Sequence, residues 1–425
     1  MIVFLEKVRV KTLFSIIDPV KVEPFELCYL KAVLNEMNIE TYIVDRLFAF
    51  SPPKDKTPDI IVVTGYNTAE NEMIRRSEFY KSIYPNVKII GGGVHVQENP
   101  EAFRVSAIDY VFHSFSLNTF KLLIEKIINN DSIPLNCGLD TNIGGKWHLG
   151  EKESIYEIEN IKPDRDFFYK AKSKLKYLDK RNVAIIKGSI GCPYNCSFCY
   201  CKLLNNKHFI CGDYEKMFEE MESIDADYYW IVDDVLFSTR NDALKFIEAA
   251  EKRNKDFSII GYLRADFILR EKDLLKRLGD AGLREVITGF EATVNSELGE
   301  YEKTTDAGDY PLAISLLKEN NIELTALFMV RPNYGVKDFY NLIKFIKENK
   351  IDVYTVSIMT PMKKTKLYEE FEELLIDKRP ERYDFLHLLI KPKLPKFIFY
   401  TLFYGLHIRL LRSKRVRKFL FSKDR

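Results

Sequence analysis

No stretch of about 18 uncharged apolar residues occurs in the chain, so a membrane-spanning helix is not expected. The beginning, MIVFLEKVRVK, lacks a long hydrophobic run before a small-residue cleavage site, so no secretory leader is expected either. Cysteine is scarce: seven in 425 residues, too few for a disulfide framework in a chain of this length. The net charge is only +2 and no recognised nucleic-acid module is present, so no nucleic-acid partner is expected. These absences point to a cytoplasmic protein. Its 46% apolar and 30% charged residues suffice for two or three packed domains.

What is present is an alternation of short β-branched runs with helical patterns. In the first part, strands are expected at 8–17, 40–44, 59–65, 87–90 and 108–113, with helices at 24–37, 71–83 and 117–129. Residues 130–180, with Pro134, Gly138, Gly144-Gly145 and Pro163, read as a connector with a small hairpin. The alternation then resumes with strands at 183–187, 227–232, 257–262, 285–289, 324–330 and 353–359. Helices are expected between them at 214–221, 243–254, 272–281, 311–320 and 336–349. Roughly six βα units suit a partial (β/α)6 barrel, in which chemistry gathers at the carboxyl ends of the strands.

The small net charge conceals an uneven distribution. Residues 391–425 hold six Lys and five Arg against the single Asp424, interleaved with Phe397, Ile398, Phe399, Tyr400, Phe403, Tyr404 and Ile408. Such a tail either packs as a helix on the catalytic domain with a solvated basic end, or lies peripherally on an anionic membrane surface.

The chemistry is concentrated in Gly191-Cys192-Pro193-Tyr194-Asn195-Cys196-Ser197-Phe198-Cys199-Tyr200. The spacing C-x3-C-x2-C can place three thiolates around one iron–sulfur cube and leave its fourth iron free, whereas a closed electron-transfer cluster takes four cysteines. Cys201 and Cys211 follow closely, so the residues alone also admit a zinc site or a closed cluster with one of these as fourth ligand.

The motif resembles that of the radical SAM superfamily. The resemblance implies that Cys192, Cys196 and Cys199 ligate a 4Fe-4S cluster whose free iron is chelated by S-adenosylmethionine. One electron then cleaves the sulfonium to a 5'-deoxyadenosyl radical, which the protein positions and shields. It implies that Phe198 lies against the adenine and that Cys201 and Cys211 are bystanders. Asp233 and Asp234, at a strand end, match the place where the family binds the methionine ammonium; an Asp pair there also suits a helix N-cap. Arg264, in Gly261-Tyr262-Leu263-Arg264-Ala265-Asp266, is a candidate for the methionine carboxylate. Glu291, after Gly289-Phe290, is a candidate for ribose hydroxyls or an amine. Lys303 and Thr305 lie in a Y-x-K-x-[ST] pattern beginning at Tyr301. The last strand ends Thr360-Pro361-Met362-Lys363-Lys364-Thr365, where relatives show T-P-x-x-G-T, so that turn is expected to differ. His387 is either part of the substrate face or a structural histidine.

The N-terminal region, from Glu23-Pro24 through Thr64-Gly65-Tyr66-Asn67 to Gly91-Gly92-Gly93, resembles the cobalamin-binding domain that precedes many radical SAM domains. Ligands of such parallel sheets sit at the carboxyl ends of the strands, which makes Thr64, Gly65, Tyr66, Gly91, Gly92 and Gly93 the candidate cobalamin residues. Many such domains carry D-x-H-x-x-G in the first loop, but this chain reads Ile17-Asp18-Pro19-Val20-Lys21-Val22-Glu23, without the histidine that would bind cobalt. His95 and His113 read as structural residues.

The expectation is thus an α/β protein: an N-terminal Rossmann-like domain of cobalamin-binding type over 1–145, a linker over 146–180, a partial (β/α)6 radical SAM barrel over 181–375, and a helical, basic and aromatic extension over 376–425. The leading function is cobalamin-dependent methylation of an unactivated carbon. Radical cyclisation, rearrangement or coupling without methyl transfer is the alternative, and a non-enzymatic iron–sulfur redox protein is a third. Expected partners are a small-molecule or lipid substrate and a reductant such as flavodoxin or ferredoxin, with peripheral membrane contact through the tail.

Overall fold

A computed structural model describes residues 1–11, 19–131 and 137–421. The chain divides into two compact units. The first comprises 1–11, the described part of 22–174, and 203–211; the second comprises 19–21, 175–202 and 212–421.

The first unit is built on β1 (Ile2–Lys7), β2 (Glu40–Asp45), β3 (Ile60–Thr64), β4 (Lys88–Gly92) and β5 (Tyr110–Phe112). They are parallel in the order β2-β1-β3-β4-β5, and the antiparallel hairpin β6 (Leu139–Ile143) and β7 (Lys146–His148) extends the edge. Successive side chains point to opposite faces, so each strand feeds two cores. Val3, Leu5, Ile60 and Val62 pack with Leu27, Val33, Phe120 and Ile124 from the helices Phe25–Glu36 and Leu117–Ile128. Phe4, Ile61, Val63 and Ile89 pack on the other face with Met73 and Tyr80 from the helix Glu70–Ile83.

This double burial explains the one displaced strand. The first strand was expected at 8–17 but is Ile2–Lys7, because IVFLEK supplies both cores, whereas Arg9 binds Asp45 and Lys11 is exposed. Residues 12–18, which include most of the rest of that expected strand and Ile17-Asp18 of the loop without histidine, lie outside the described residues, as does Pro134.

The second unit carries six parallel strands in chain order: β8 (Val183–Ile186), β9 (Tyr228–Ile231), β10 (Ile259–Tyr262), β11 (Leu283–Glu291), β12 (Glu323–Val330) and β13 (Val353–Ile358). Parallel neighbours require crossovers, supplied by the helices Tyr214–Ser223, Arg240–Glu251, Tyr310–Glu319 and Val336–Glu348. The second of these starts earlier than its apolar pattern because Thr239 caps it, accepting from the Asp242 amide while Asp242 accepts in return. The helix expected at 272–281 is only Leu275–Asp280, and an unforeseen helix, Ala265–Arg270, precedes it. β11 runs past Gly289 to Glu291 through an irregularity in register.

The tail forms the helices Lys396–Arg409 and Lys414–Phe421. Phe399, Phe403 and Leu406 are fully buried, each contributing about 2 kcal/mol by transfer from water. Tyr354 donates to the Leu406 carbonyl at 2.7 Å, and Arg415 donates to the fully buried carboxylate of Glu285 at 2.9 Å. Packing on the catalytic unit is therefore the fate of one face of this tail. Among the described residues no helix is long and apolar enough to cross a membrane.

Candidate active site

The cysteine loop leaves the carboxyl end of β8 and is fastened from several sides. Ser197 donates its amide to the Tyr301 carbonyl (3.2 Å) and its hydroxyl to that of Glu300 (2.8 Å), and its own carbonyl accepts from the Leu367 amide (3.0 Å). The Cys199 amide donates to the Cys196 carbonyl at 3.1 Å. Burial pushes the Cys192 thiol up to about 12, with Cys199 and Cys196 adding to the shift, so the sulfurs share one electrostatic environment. Among the described residues no three His, Cys, Asp or Glu side chains converge on a single-ion position. A cube asks instead for thiolates at separate corners, each on its own iron. The Cys201 thiol donates to the Cys199 sulfur, holding Cys199 below the ordinary thiol range, while the same bond and burial send Cys201 well above it. Cys211 is exposed and belongs to the first unit.

The two aspartates after β9 have different surroundings. Asp233 is buried and accepts from the Gly188 amide at 2.8 Å and from the Ser189 amide, which fastens the start of the cysteine loop; burial raises its pKa against these bonds. Asp234 keeps a buried, unpartnered Oδ2 while its carboxylate stands within hydrogen-bonding reach of the Cys201 thiol, and its charge acts on Cys192 and Cys199.

Arg264 follows β10, but its fork is engaged by Asp266, with Nε to Oδ1 at 2.9 Å and Nη2 to Oδ2 at 3.2 Å. Its remaining Nη1 lies 3.5 Å from the Cys196 sulfur, and the guanidinium stacks 3.9 Å over the Tyr194 ring. Glu291 ends β11 at φ +62°, a left-handed conformation uncommon outside glycine. Its Oε1 lies 3.2 Å from Lys303 Nζ, which also donates to the Gly289 carbonyl at 2.6 Å. A Cβ at Gly289 would stand 2.2 Å from that Oε1, so glycine makes the room into which the carboxylate folds back. Phe198 meets Tyr301 edge to face, the ring centroids 5.4 Å apart, and the Tyr301 hydroxyl is buried without a partner. His387 pairs with Asp384 through Nδ1 at 2.9 Å.

Tyr194, Ser197, Asp266 and Tyr301 were not singled out as site residues from the sequence. Tyr301 had a signal as the first residue of its Y-x-K-x-[ST] pattern, and Asp266 stood in the quoted Arg264-Ala265-Asp266 segment; Tyr194 and Ser197 act through contacts between distant segments.

In the first unit, strand order reverses between β1 and β3, and their carboxyl ends present Lys7 and Thr64. Lys7 pairs with Glu26, Thr64 Oγ1 donates to Glu26 at 3.1 Å, and the Lys7 ammonium lies 4.2 Å from the exposed Tyr66 ring. The candidate glycines differ. A Cβ at Gly65 would meet Met73 Sδ at 2.8 Å and Ala69 Cβ at 2.9 Å, so that glycine serves internal packing. Gly93 has φ +99°, while a Cβ at Gly91 or Gly92 would make only ordinary contacts at 3.6 and 3.8 Å. His95 is bound to Glu70 at 2.8 Å and His113 to Asp140 at 3.2 Å.

No family model matches the chain. It is 24% identical over 323 residues, 71% of this chain and 67% of the relative, to bacteriochlorophyllide d C-8(2)-methyltransferase of Chlorobaculum tepidum. It is 26% identical over 349 residues, 79% of this chain and 62% of the relative, to anaerobic magnesium-protoporphyrin IX monomethyl ester cyclase of Rubrivivax gelatinosus. Among solved structures, the radical SAM methyltransferase TsrM of Kitasatospora setae shares the fold with a TM-score of 0.69 at 15% identity, over 88% of this chain and 76% of that one. A second TsrM structure, with cobalamin and a [4Fe-4S] cluster bound, superposes with a TM-score of 0.68. In sequence the chain is thus similar to a methyltransferase and a cyclase, and in fold to radical SAM methyltransferase structures, one of them solved with cobalamin and a [4Fe-4S] cluster.

Proposed function

We propose that the chain is a cobalamin-dependent radical SAM methylase acting on an unactivated carbon of a small-molecule or lipid substrate. The observation that carries this reading is the loop after β8, where three cysteines stand at cluster spacing beside the buried, unpartnered Oδ2 of Asp234. When bound, the cluster with S-adenosylmethionine supplies a 5'-deoxyadenosyl radical, and cobalamin supplies the methyl group. Cys192, Cys196 and Cys199 would hold the cluster. Asp234 would accept a hydrogen bond from the ammonium of the methionine moiety, and Asp233 fixes the loop that presents the thiolates. Phe198, braced by Tyr301, offers a ring face to the adenine. The Glu291–Lys303 pair, at the end of β11, would meet ribose hydroxyls or an amine. Arg264, held by Asp266, donates toward a ligand sulfur, which would stabilise its thiolate form.

The residues also fit cobalamin. Gly91 and Gly92 are buried against Ile108 and Phe112, whereas Gly93, half-buried at φ +99°, is the position at the carboxyl end of β4 where a bare backbone would let a ligand approach. The sequence has no histidine before His95, so the first loop would offer cobalt no histidine. The likeness in fold to TsrM supports a cobalamin-type α/β domain and a partial barrel, and the reading takes a small electron-transfer protein such as flavodoxin or ferredoxin as reductant. The face of the tail turned away from the catalytic unit suits an anionic membrane surface.

Anaerobic reconstitution with iron, sulfide and cobalamin, then S-adenosylmethionine and a reductant, tests the proposal. Methylation predicts 5'-deoxyadenosine together with S-adenosylhomocysteine; no 5'-deoxyadenosine would refute radical chemistry. The likeness to the anaerobic cyclase favours ring closure or rearrangement as the second reading, which predicts 5'-deoxyadenosine without S-adenosylhomocysteine.

A further inference from the structure

A pocket of about 280 Å³ opens where the end of the helix Val336–Glu348, the start of β13 and the tail meet. Lys347, Lys350, Arg409 and Arg412 line it. None of these four cations has an ion-pair partner among the described residues, although nearby Lys344 pairs with Glu348 and Arg415 with Glu285. The one carboxylate at the pocket, Asp352, already accepts from Ser413 at 2.9 Å. Four cations around one cavity repel one another unless an anion sits among them.

Beside the pocket lies an apolar stripe. With Phe399, Phe403 and Leu406 buried, the outer face of the same helix presents Phe397, 82% exposed, and Ile408, 65% exposed, with Leu411 beyond. Phe397 and Ile408 lie on one face of this helix with Thr401 and Gly405 between them, and the short 3-10 turn Leu410–Arg412 that follows leads to the pocket, which Arg412 lines. From Lys391 to Lys418 the sequence contains no acidic residue. Exposed aromatic and aliphatic groups flanked only by cations match the interface of an anionic bilayer, where apolar side chains enter the acyl boundary and Lys and Arg remain among the headgroups.

We propose that this corner of the second unit faces the membrane and that its pocket seats the phosphate of an anionic phospholipid headgroup. The inference rests on the reading of the tail as a membrane-contact segment and is independent of the radical chemistry. A free phosphate would use the four cations but has no use for the stripe.

The test is co-sedimentation of the full chain with phosphatidylcholine vesicles, with and without phosphatidylglycerol. Each cation near an anionic surface strengthens binding about fivefold, so the double variant Lys350→Gln, Arg412→Gln should bind the anionic vesicles about 25-fold more weakly. Phe397→Ser with Ile408→Ser should also weaken binding to the anionic vesicles. If the wild type binds and the pocket variant binds equally, the headgroup seat is refuted while the membrane contact stands. Unchanged binding by the Phe397→Ser, Ile408→Ser variant would likewise refute a lipid seat beside the stripe and leave a free phosphate as the ligand. If the wild type binds no vesicle, both readings fall.

Discussion

Replacing Asp233 by alanine should empty the cluster site without unfolding the protein. The Asp233 carboxylate is 3% exposed and accepts from the backbone amides of Gly188 and Ser189, the residues that lead β8 into the cysteine loop. Hydrogen bonds to a charged group contribute about 1.5–3 kcal/mol each, and their loss would leave two amide donors without an acceptor. Burial already raises the energy of the ionised carboxylate, so the net loss lies at the low end, about 3 kcal/mol in total. For a unit of this size that corresponds to about 6 °C in Tm. The cost falls on the loop, so iron content after reconstitution should drop more steeply than secondary structure by circular dichroism. Asn at the same position keeps one acceptor oxygen and should recover most of the iron. The raised pKa gives a further check: the folded state holds this proton above the pH at which the unfolded chain releases it, so stability falls as pH rises from the ordinary carboxylate range through the folded value. Asp233→Asn should remove that slope. Asp234→Asn should behave oppositely, keeping the iron but losing 5'-deoxyadenosine formation about tenfold or more, as expected for one charged hydrogen bond to a cofactor. Full iron and an unchanged Tm in Asp233→Ala would refute the division of roles.

Gly289→Ala should be more damaging than an exposed glycine change, since its Cβ would stand 2.2 Å from Glu291 Oε1; reduced binding of S-adenosylmethionine by the reconstituted protein, with iron retained, is the expected result of displacing the Glu291–Lys303 pair. Cys201→Ala and Cys211→Ala should both retain iron, whereas Cys192→Ala, Cys196→Ala or Cys199→Ala should lose the cluster's absorption and paramagnetic signal. The cob(II)alamin spectrum of the loaded protein should lack nitrogen splitting from a protein histidine, because the sequence has no histidine before His95 and so none in the first loop. Arg415→Ala would leave buried Glu285 with Lys180 as its remaining cation, at 3.0 Å; a loss of about 3 kcal/mol and faster proteolysis of the tail should follow.

The parts of the fold legible in the sequence are those written in short-range periodicity. The β-branched or aromatic runs at 60–64, 228–231 and 353–358 lie within a residue or so of their expected limits because burial on both faces demands a continuous apolar run wherever it falls. The cluster ligands were legible for a similar reason, since three thiolates on one cube must be close in a single loop. The carboxylates were not separable in this way. Asp233 and Asp234 are adjacent, and at the end of a strand adjacent side chains point to opposite sides. Which one turns back to the amides of Gly188 and Ser189, and which keeps an oxygen free toward the cysteines, depends on where the pleat of β9 stops, and a shift of one residue would exchange them. Composition is silent on that parity because Asp-Asp reads the same in either register. The same holds for Arg264, whose fork suits a carboxylate from the cofactor as well as one from Asp266, two residues along the chain. Proximity in sequence gave Asp266 the advantage, since a partner on the same turn requires little ordering entropy, and the guanidinium that remains is aimed at a cysteine sulfur. Strand-end chemistry can thus be located from sequence to within a residue. The assignment of each group to scaffold or cofactor comes only from the hydrogen bonds that close across the sheet.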